Sequence, residues 1–290
     1  MNEAQGRSMH HWGSDACRAA VSVTFDNLGE AADLERGQWP EDEPLGRHFS
    51  VRHALPRILD VLQELGLRST FYVEGLNAEL YPEALLEIVD SGHELGYHGW
   101  RHEYWPYLSL SDEARLLERG VQRMQEIGVG PNGFRPPGGR LTHSSPKLLE
   151  DLGFTHCSPA GRGTGFLDSL VVLPFAWRLL DAYHYLPRFG ALREAFAGSD
   201  EPLAPARFRE TLASALRGVV RDGGHLTLVY HPFLEDQEGR FEIMRGALEE
   251  LRVLVESGAV WCAPHRDVAN WVRQRPGDFG DGLELDPTEA

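Results

Sequence analysis

AVSVTFDN, residues 20–27, is a run of small, β-branched and aromatic residues that stops at two polar side chains, with Gly29 just beyond. Such a run reads as a buried strand whose C-terminal end opens into a loop, so Asp26 and Asn27 are predicted at a strand end. Working outward, 28–48 is rich in charge, Gly and Pro, and VRHALPRILDVLQELG then places Val51, Leu55, Ile58, Leu59, Leu62 and Leu65 at helical spacing before Gly66. STFYVEG (69–75) is a second strand, PEALLEIVDSGHE (82–94) a second helix stopping near Gly92, and LGYHG (95–99) a third strand.

The same beat continues. SLSDEARLLERGVQRMQEIG (109–128) opens on a Ser/Asp cap and runs as a helix, GFRPPGG (133–139) is a strand entering a Pro/Gly turn, and SSPKLLEDLG (144–153) is a helix. A strand-and-loop region follows over 153–175, and 178–205 has no clear period beyond a short helical patch at ALREAFAG. A helix at 206–223, the strand HLTLVYHP (225–232), a helix at 243–258, the strand AVWCAP (259–264) and a last helix at 266–274 complete the series. About seven strand–helix alternations without an internal repeat predict an α/β fold with a mostly parallel sheet, open or closed into a barrel. The expected organisation is a polar segment over 1–19, one catalytic domain over 20–275 and a frayed acidic tail over 276–290.

Composition narrows the function. A chain of 290 residues with 42% hydrophobic and 25% charged residues has the make-up of a folded globular protein, not of a disordered one. Its formal charge of −16 disfavours nucleic acid and anionic membrane surfaces, so the expected partner is a small molecule or sugar, with homo-oligomerisation left open. Neither a secretion signal nor a run long enough to cross a bilayer is evident, which predicts a cytoplasmic protein. Cys17, Cys157 and Cys262 lie far apart and outside any C-x-x-C pair, so no disulfide framework or thiolate zinc site is expected.

Open α/β sheets and barrels collect chemistry at the C-terminal ends of their strands. Asp26, Asn27, His98, Arg135 and His231 all fall there, from four different strands. His98 and His102 are four apart, a spacing that suits two imidazole ligands on one metal, but among thirteen histidines the pair alone is a weak signal. Asp26 and Asn27 are the obvious further donors, because zinc, cobalt, nickel or iron accepts imidazole nitrogen together with carboxylate or amide oxygen. Glu74 follows a strand and is expected at the same rim. The cluster Trp100, Tyr104, Trp105 and Tyr107 either lines a pocket or packs a loop on the barrel. His93, His143, His184, His225 and His265 are read as structural or solvent-facing.

With TFDN (24–27), HGWRH (98–102), FRPPGG (134–139) and LVYHP (228–232) in this order, the chain resembles the polysaccharide deacetylases, the NodB-homology group or carbohydrate esterase family 4. The resemblance runs over about 20–275. LPFAWRLLDAYHY (173–185) and GAVWCAPHRDVANWV (258–272) look most like its cytoplasmic, allantoinase- and amidase-like branch. It implies a deformed (β/α) barrel and a metal-dependent hydrolase that removes an N-acyl group, N-acetyl first, from a soluble sugar or small amide. Asp26 would be the general base, Arg135 its positioning partner, His231 the acid that protonates the leaving amine, and Asp181 the carboxylate behind His231. His98, His102 and Asn27 would hold a divalent metal, zinc first, with cobalt, nickel or iron as alternatives. Glu74, Trp105, Trp177 and Pro137 would meet substrate.

The departure is Asn27, where the family's pattern has a second aspartate. Losing one charge at about 4 Å from a dication removes roughly 4 kcal/mol at an effective dielectric of 20, or up to about three decades of affinity. Metal binding would be weakened, or absent if Asn27 does not ligate, unless Asp26, Glu30 or Glu103 takes the role. Two alternatives therefore stay open: metal-free acid/base chemistry such as a lyase, isomerase or cyclase step, and a catalytically silent ligand-binding protein.

Overall fold

The computed structural model describes residues 11–235, 237–279 and 282–285; residues 1–10 and 286–290, parts of the two predicted terminal segments, lie outside them. Strands β1 (Ala19–Asp26), β2 (Thr70–Val73), β3 (Glu94–Tyr97), β4 (Gly133–Phe134), β5 (His156–Cys157), β6 (Gly161–Arg162), β7 (Gly165–Leu167), β8 (Leu170–Val172), β9 (Gly224–Tyr230), β10 (Val260–Cys262) and β11 (Glu284–Leu285) are separated by helices except over β5–β8, which follow one another directly. β1 is buried along its whole length, which is why it reads as a continuous apolar run and not as an alternating one. It is the hub of a nine-stranded sheet in the order β10-β1-β2-β3-β4-β5-β8-β7, with β9 pairing β1 as well, from Ala19↔Gly224 to Phe25↔Tyr230.

All pairings in that sheet are parallel except the β7–β8 hairpin. The sheet curls until the segment after β8 reaches β9, where Leu180 bridges Val229 and the Thr227 hydroxyl donates to the Pro174 carbonyl at 2.9 Å. No full ladder closes this seam among the described residues, so the architecture is the deformed (β/α) barrel that was expected. Its parallel strands number eight and not about seven, because the region 153–175 contributes both β5 and β8.

The long helices form where the periodicity placed them, and short ones at Ala31–Glu35, Asn77–Leu80 and Asp181–Tyr185 form where it placed none. Leu55–Leu65 buries Leu55, Ile58, Leu59, Val61 and Leu62 and ends at Gly66, whose φ of 61° is the left-handed conformation of a C-terminal stop. Leu110–Glu126 starts at Ser109, whose hydroxyl accepts from the Asp112 N–H at 3.2 Å, and buries Leu116, Leu117, Val121 and Met124. A second apolar cluster of Trp12, Ala20, Val171, Leu173, Ala263, Val268, Ala269 and Val272 gathers the start of β1, β8 and the helix His265–Arg273 that follows β10.

Two expectations about the ends are corrected here. Within the segment read as polar, Trp12 and Cys17 pair with each other and are buried, because a single large aromatic outweighs its polar neighbours. Within the tail read as frayed, β11 pairs antiparallel with β6, a backbone contact that composition does not announce. The three cysteines are free, and no described helix is long and apolar enough to cross a membrane.

Candidate active site

Four loops, after β1, β3, β4 and β9, meet at the C-terminal end of the sheet. On β1, Thr24 and Asp26 are two apart and share one face. Arg135, directly after β4, reaches both: its Nη1 donates to Asp26 Oδ1 at 2.6 Å and to Thr24 Oγ1 at 2.8 Å, and its Nη2 donates to Ser158 Oγ at 2.9 Å. The guanidinium also lies over Tyr72, 4.3 Å from the ring centroid. Arg135 is 1% and Asp26 5% exposed, so this is a buried, charge-assisted pair with its position over-determined. It holds one carboxylate oxygen of Asp26 and leaves Oδ2 for other work.

His98 follows β3, and its backbone N–H continues the ladder to the Val73 carbonyl at 2.9 Å. Its Nδ1–H donates to the Arg135 carbonyl at 2.8 Å, which fixes the tautomer and leaves Nε2 as the bare nitrogen. Burial pushes its pKa down to about 4. Gly99 at φ +76° then turns the chain; a Cβ there would meet Glu103 and Pro137 at 3.0 Å. His102, itself at φ 72°, comes back to His98 with ring centroids 4.9 Å apart and planes at 80°. Burial and then the neighbouring charge of His98 hold its pKa well below the usual range, with the guanidiniums of Arg36 and Arg188 acting in the same direction.

Asn27 occupies the left-handed region, φ 59°, and its amide Oδ1 and Nδ2 are both buried without a hydrogen-bond partner. An unpartnered buried amide is costly unless something meets it. With a bare Nε2 on His98 and a second imidazole alongside, this donor set fits a divalent metal with two nitrogens and a neutral oxygen. Two features weaken the fit. Arg36 Nη2 sits 3.3 Å from His102 Nδ1, and among the described residues no three His, Cys, Asp or Glu side chains converge.

The substitutes considered for the missing carboxylate are engaged elsewhere. Glu30 accepts from the Tyr81 hydroxyl and from the Gly46 N–H at 2.6 Å, and Glu103 accepts from the N–H groups of Trp100 at 2.9 Å and Arg101 at 3.1 Å.

Across the seam, His231 ends β9. Its backbone N–H donates to Asp181 Oδ2 at 2.7 Å and its Nδ1–H to Asp181 Oδ1 at 2.5 Å, while the Ala182 N–H donates to Oδ1 at 2.5 Å. Asp181 is fully buried, and the buried carboxyl of Glu235 lies close enough to feel its charge. Burial and then the Asp181 charge push the Glu235 carboxyl above its ordinary range.

Two of the expected substrate contacts are corrected. Glu74 is fully buried: it accepts from the Leu28 N–H and from Asn77 Nδ2, each at 3.2 Å, and burial raises its pKa to about 8. It is a neutral prop beneath the Asn27–Leu28 turn, because β2 places it behind the loop and not on the rim. Trp105 is also fully buried, donating to Glu113 at 2.9 Å with its ring tilted against Phe134 at 4.8 Å between centroids, so it packs its loop on the barrel. Pro137 is buried against Gly99, beside His98, and Trp177 is wedged against Gly139 and Phe175. Thr24, Ser158, Glu235, Arg36 and Arg188 were not singled out from sequence. Only Thr24 carried a signal, its i, i+2 relation to Asp26; the arginines lie in the two least periodic stretches.

The polysaccharide deacetylase family model matches residues 14–157. Among solved structures, a putative polysaccharide deacetylase from Mycobacterium smegmatis superposes with a TM-score of 0.79 at 27% identity, covering 98% of this chain and 99% of that one. An allantoinase superposes with a TM-score of 0.74 at 18% identity, covering 94% and 96%, a likeness of fold alone. Chitin deacetylase 1 of Saccharomyces cerevisiae is 33% identical over 96 residues, 33% of this chain and 32% of that protein. The chain thus spans about a third of the length of the first curated relatives it matches. The match begins before β1 and takes in TFDN, HGWRH and FRPPGG, the segments that build the Asp26–Arg135 and His98–His102 halves of the site, and the chain belongs to the polysaccharide deacetylase family.

Proposed function

We propose that the chain hydrolyses the amide bond of an N-acylated amine, N-acetyl first, on a soluble sugar or small amide. The observation that carries this reading is the pairing of a fixed carboxylate, Asp26 on Arg135 at 2.6 Å, with an imidazole–carboxylate dyad, His231 on Asp181 at 2.5 Å, at the mouth that also holds His98 and His102. Amide hydrolysis needs those two functions, one group to take a proton and another to return it. Asp26 Oδ2 takes a proton from water as its oxygen bonds to the acyl carbon. The C–N bond then breaks as His231, with Nδ1–H held by Asp181, gives its Nε2 proton to the leaving amine. The products are a carboxylate and a free amine.

His98, His102 and Asn27 would hold a divalent metal, zinc first. The chemistry such an ion supplies when bound is polarisation of the acyl oxygen and a lower pKa for water. The test is incubation of the purified protein with a panel of N-acetylated amines, sugars and small amides under each of zinc, cobalt, nickel and iron(II). Amine release that disappears in Asp26→Ala is the expected result, with a loss on the order of 10²–10⁴-fold. No amine release with any metal overturns the reading. One observation favours a second reading, metal-free acid/base chemistry: Arg36 lies on His102 where a cation would compete with a metal. Absence of stoichiometric metal together with turnover of another kind would select it.

A further inference from the structure

Arg135 belongs to a ring of contacts inside the barrel that takes no part in the proton transfers themselves. Its guanidinium carbon lies 4.3 Å from the Tyr72 ring centroid and 5.1 Å from that of Phe175, so one aromatic face meets it from β2 and the other from the segment after β8. Next to Phe175, the Pro174 carbonyl accepts the proton of the Thr227 hydroxyl at 2.9 Å, so toward His265 Nε2, 3.3 Å away, Thr227 Oγ1 can only accept. His265 therefore carries its proton on Nε2. Burial, followed by the charges of His225 and Arg135, holds its pKa well below the usual range, so the ring is neutral and its Nδ1 is bare. The Tyr72 hydroxyl donates to that nitrogen at 2.7 Å. The backbone of His265 is anchored as well, its N–H donating to Thr70 Oγ1 at 2.8 Å.

Tyr72, Thr227 and His265 are all buried, at positions where apolar side chains would fill a barrel without the cost of desolvating two hydroxyls and an imidazole. Once its donors and acceptors are matched, such a network has one orientation, and this one runs between the two halves of the site. Tyr72 lies against Arg135, which holds Asp26. Thr227 is on β9, the strand that leads to His231, and its hydroxyl grips the segment that leads from Pro174 to Asp181. The seam between these halves has no full ladder among the described residues, so side chains supply a connection that backbone pairing does not. We propose that Tyr72, His265 and Thr227 are positioning residues, a hydrogen-bonded strut that holds the proton-accepting Asp26–Arg135 half in register with the proton-returning His231–Asp181 half. The inference rests on the amide-hydrolase reading for the reaction but not for the strut.

The test uses the full chain, with Tyr72→Phe and Thr227→Val, each of which removes one hydroxyl with little change of shape, and Thr227→Ser, which keeps it. Circular dichroism verifies each fold. Magnetic resonance of nitrogen-labelled histidine and arginine side chains reads the strut without any substrate. Tyr72→Phe is expected to shift the His231 Nδ1–H resonance and Thr227→Val the Arg135 Nε–H resonance, each across the barrel from the change, while Thr227→Ser leaves both at their parent positions. Shifts confined to His265 and to the half that carries the substitution overturn the proposal, as does a Thr227→Ser protein that behaves like Thr227→Val. In amine release from the acetylated panel, each hydroxyl-removing variant should lower kcat about tenfold or more with KM unchanged, and the double variant should fall no further, because both changes cut one strut. Parent-like kcat in both single variants, or losses that multiply, also overturns it. If the parent releases no amine, the hydrolase reading falls and the resonances alone judge the strut.

Discussion

Asn27 is the residue on which metal affinity turns. Its amide oxygen is buried and unpartnered beside His98 and His102, so the position is shaped for a ligand, but the charge that would hold a dication firmly is missing. Asn27→Asp should raise zinc affinity by up to about three decades, the Coulomb energy of one restored charge at about 4 Å. Titration calorimetry of the two proteins side by side checks this, and equal affinities would mean that the position does not ligate. The catalytic candidates Asp26, Arg135, His98 and His231 were legible as strand-end polar residues, since a strand's end is readable from where its apolar run stops. Their pairing was not. Asp26 and Arg135 are 109 residues apart, as are many pairs that never touch, and what brings them together is the β1–β2–β3–β4 order of the sheet.

At the scale of elements, the long helices were readable because each carries its own stop and start signals. Ser109 illustrates this: its hydroxyl caps the helix Leu110–Glu126 through the Asp112 N–H. Ser109→Ala should cost about 1 kcal/mol, read as a lowered urea midpoint with an unchanged slope; no shift would show that the cap contributes nothing. The short elements were the opaque ones. β4 and β5 span two residues each, too short to show alternation, and β7 and β8 form a hairpin inside a region that resembles a loop in composition. Glu74 and Trp105 were misplaced for a related reason: periodicity says that a side chain leaves its strand or loop, but only packing says toward which layer.

For the whole molecule, buried titratable groups set opposing pH limits. Burial pushes His225 down to about 3 and, with Arg68, His93 down to about 4, against 6.5 for an exposed imidazole. Between those values the unfolded chain binds more protons, so this stability is complete above 6.5 and is lost as pH falls, at about 1.4 kcal/mol per pH unit for each histidine. Glu74 acts in reverse. Its folded pKa of about 8 exceeds the ordinary 4.5, so its contribution is present below 4.5 and is lost as pH rises through 8. Glu74→Gln should therefore gain stability relative to the parent as pH rises over that window, and thermal unfolding from pH 5 to pH 9 reads the difference. A constant difference would place the carboxyl in water.

The sequence by itself determined the alternation of strands and helices, the strand-end position of the polar candidates and the family, because hydrophobic period, caps and motif spacing are local properties. Tertiary structure alone decided that the barrel closes without a full ladder, that Asp181 meets His231, that Glu74 is a neutral prop and that Arg36 meets His102. Each of these joins residues distant in the chain, and the burial and neighbouring charge that set their chemistry exist only once the layers have packed.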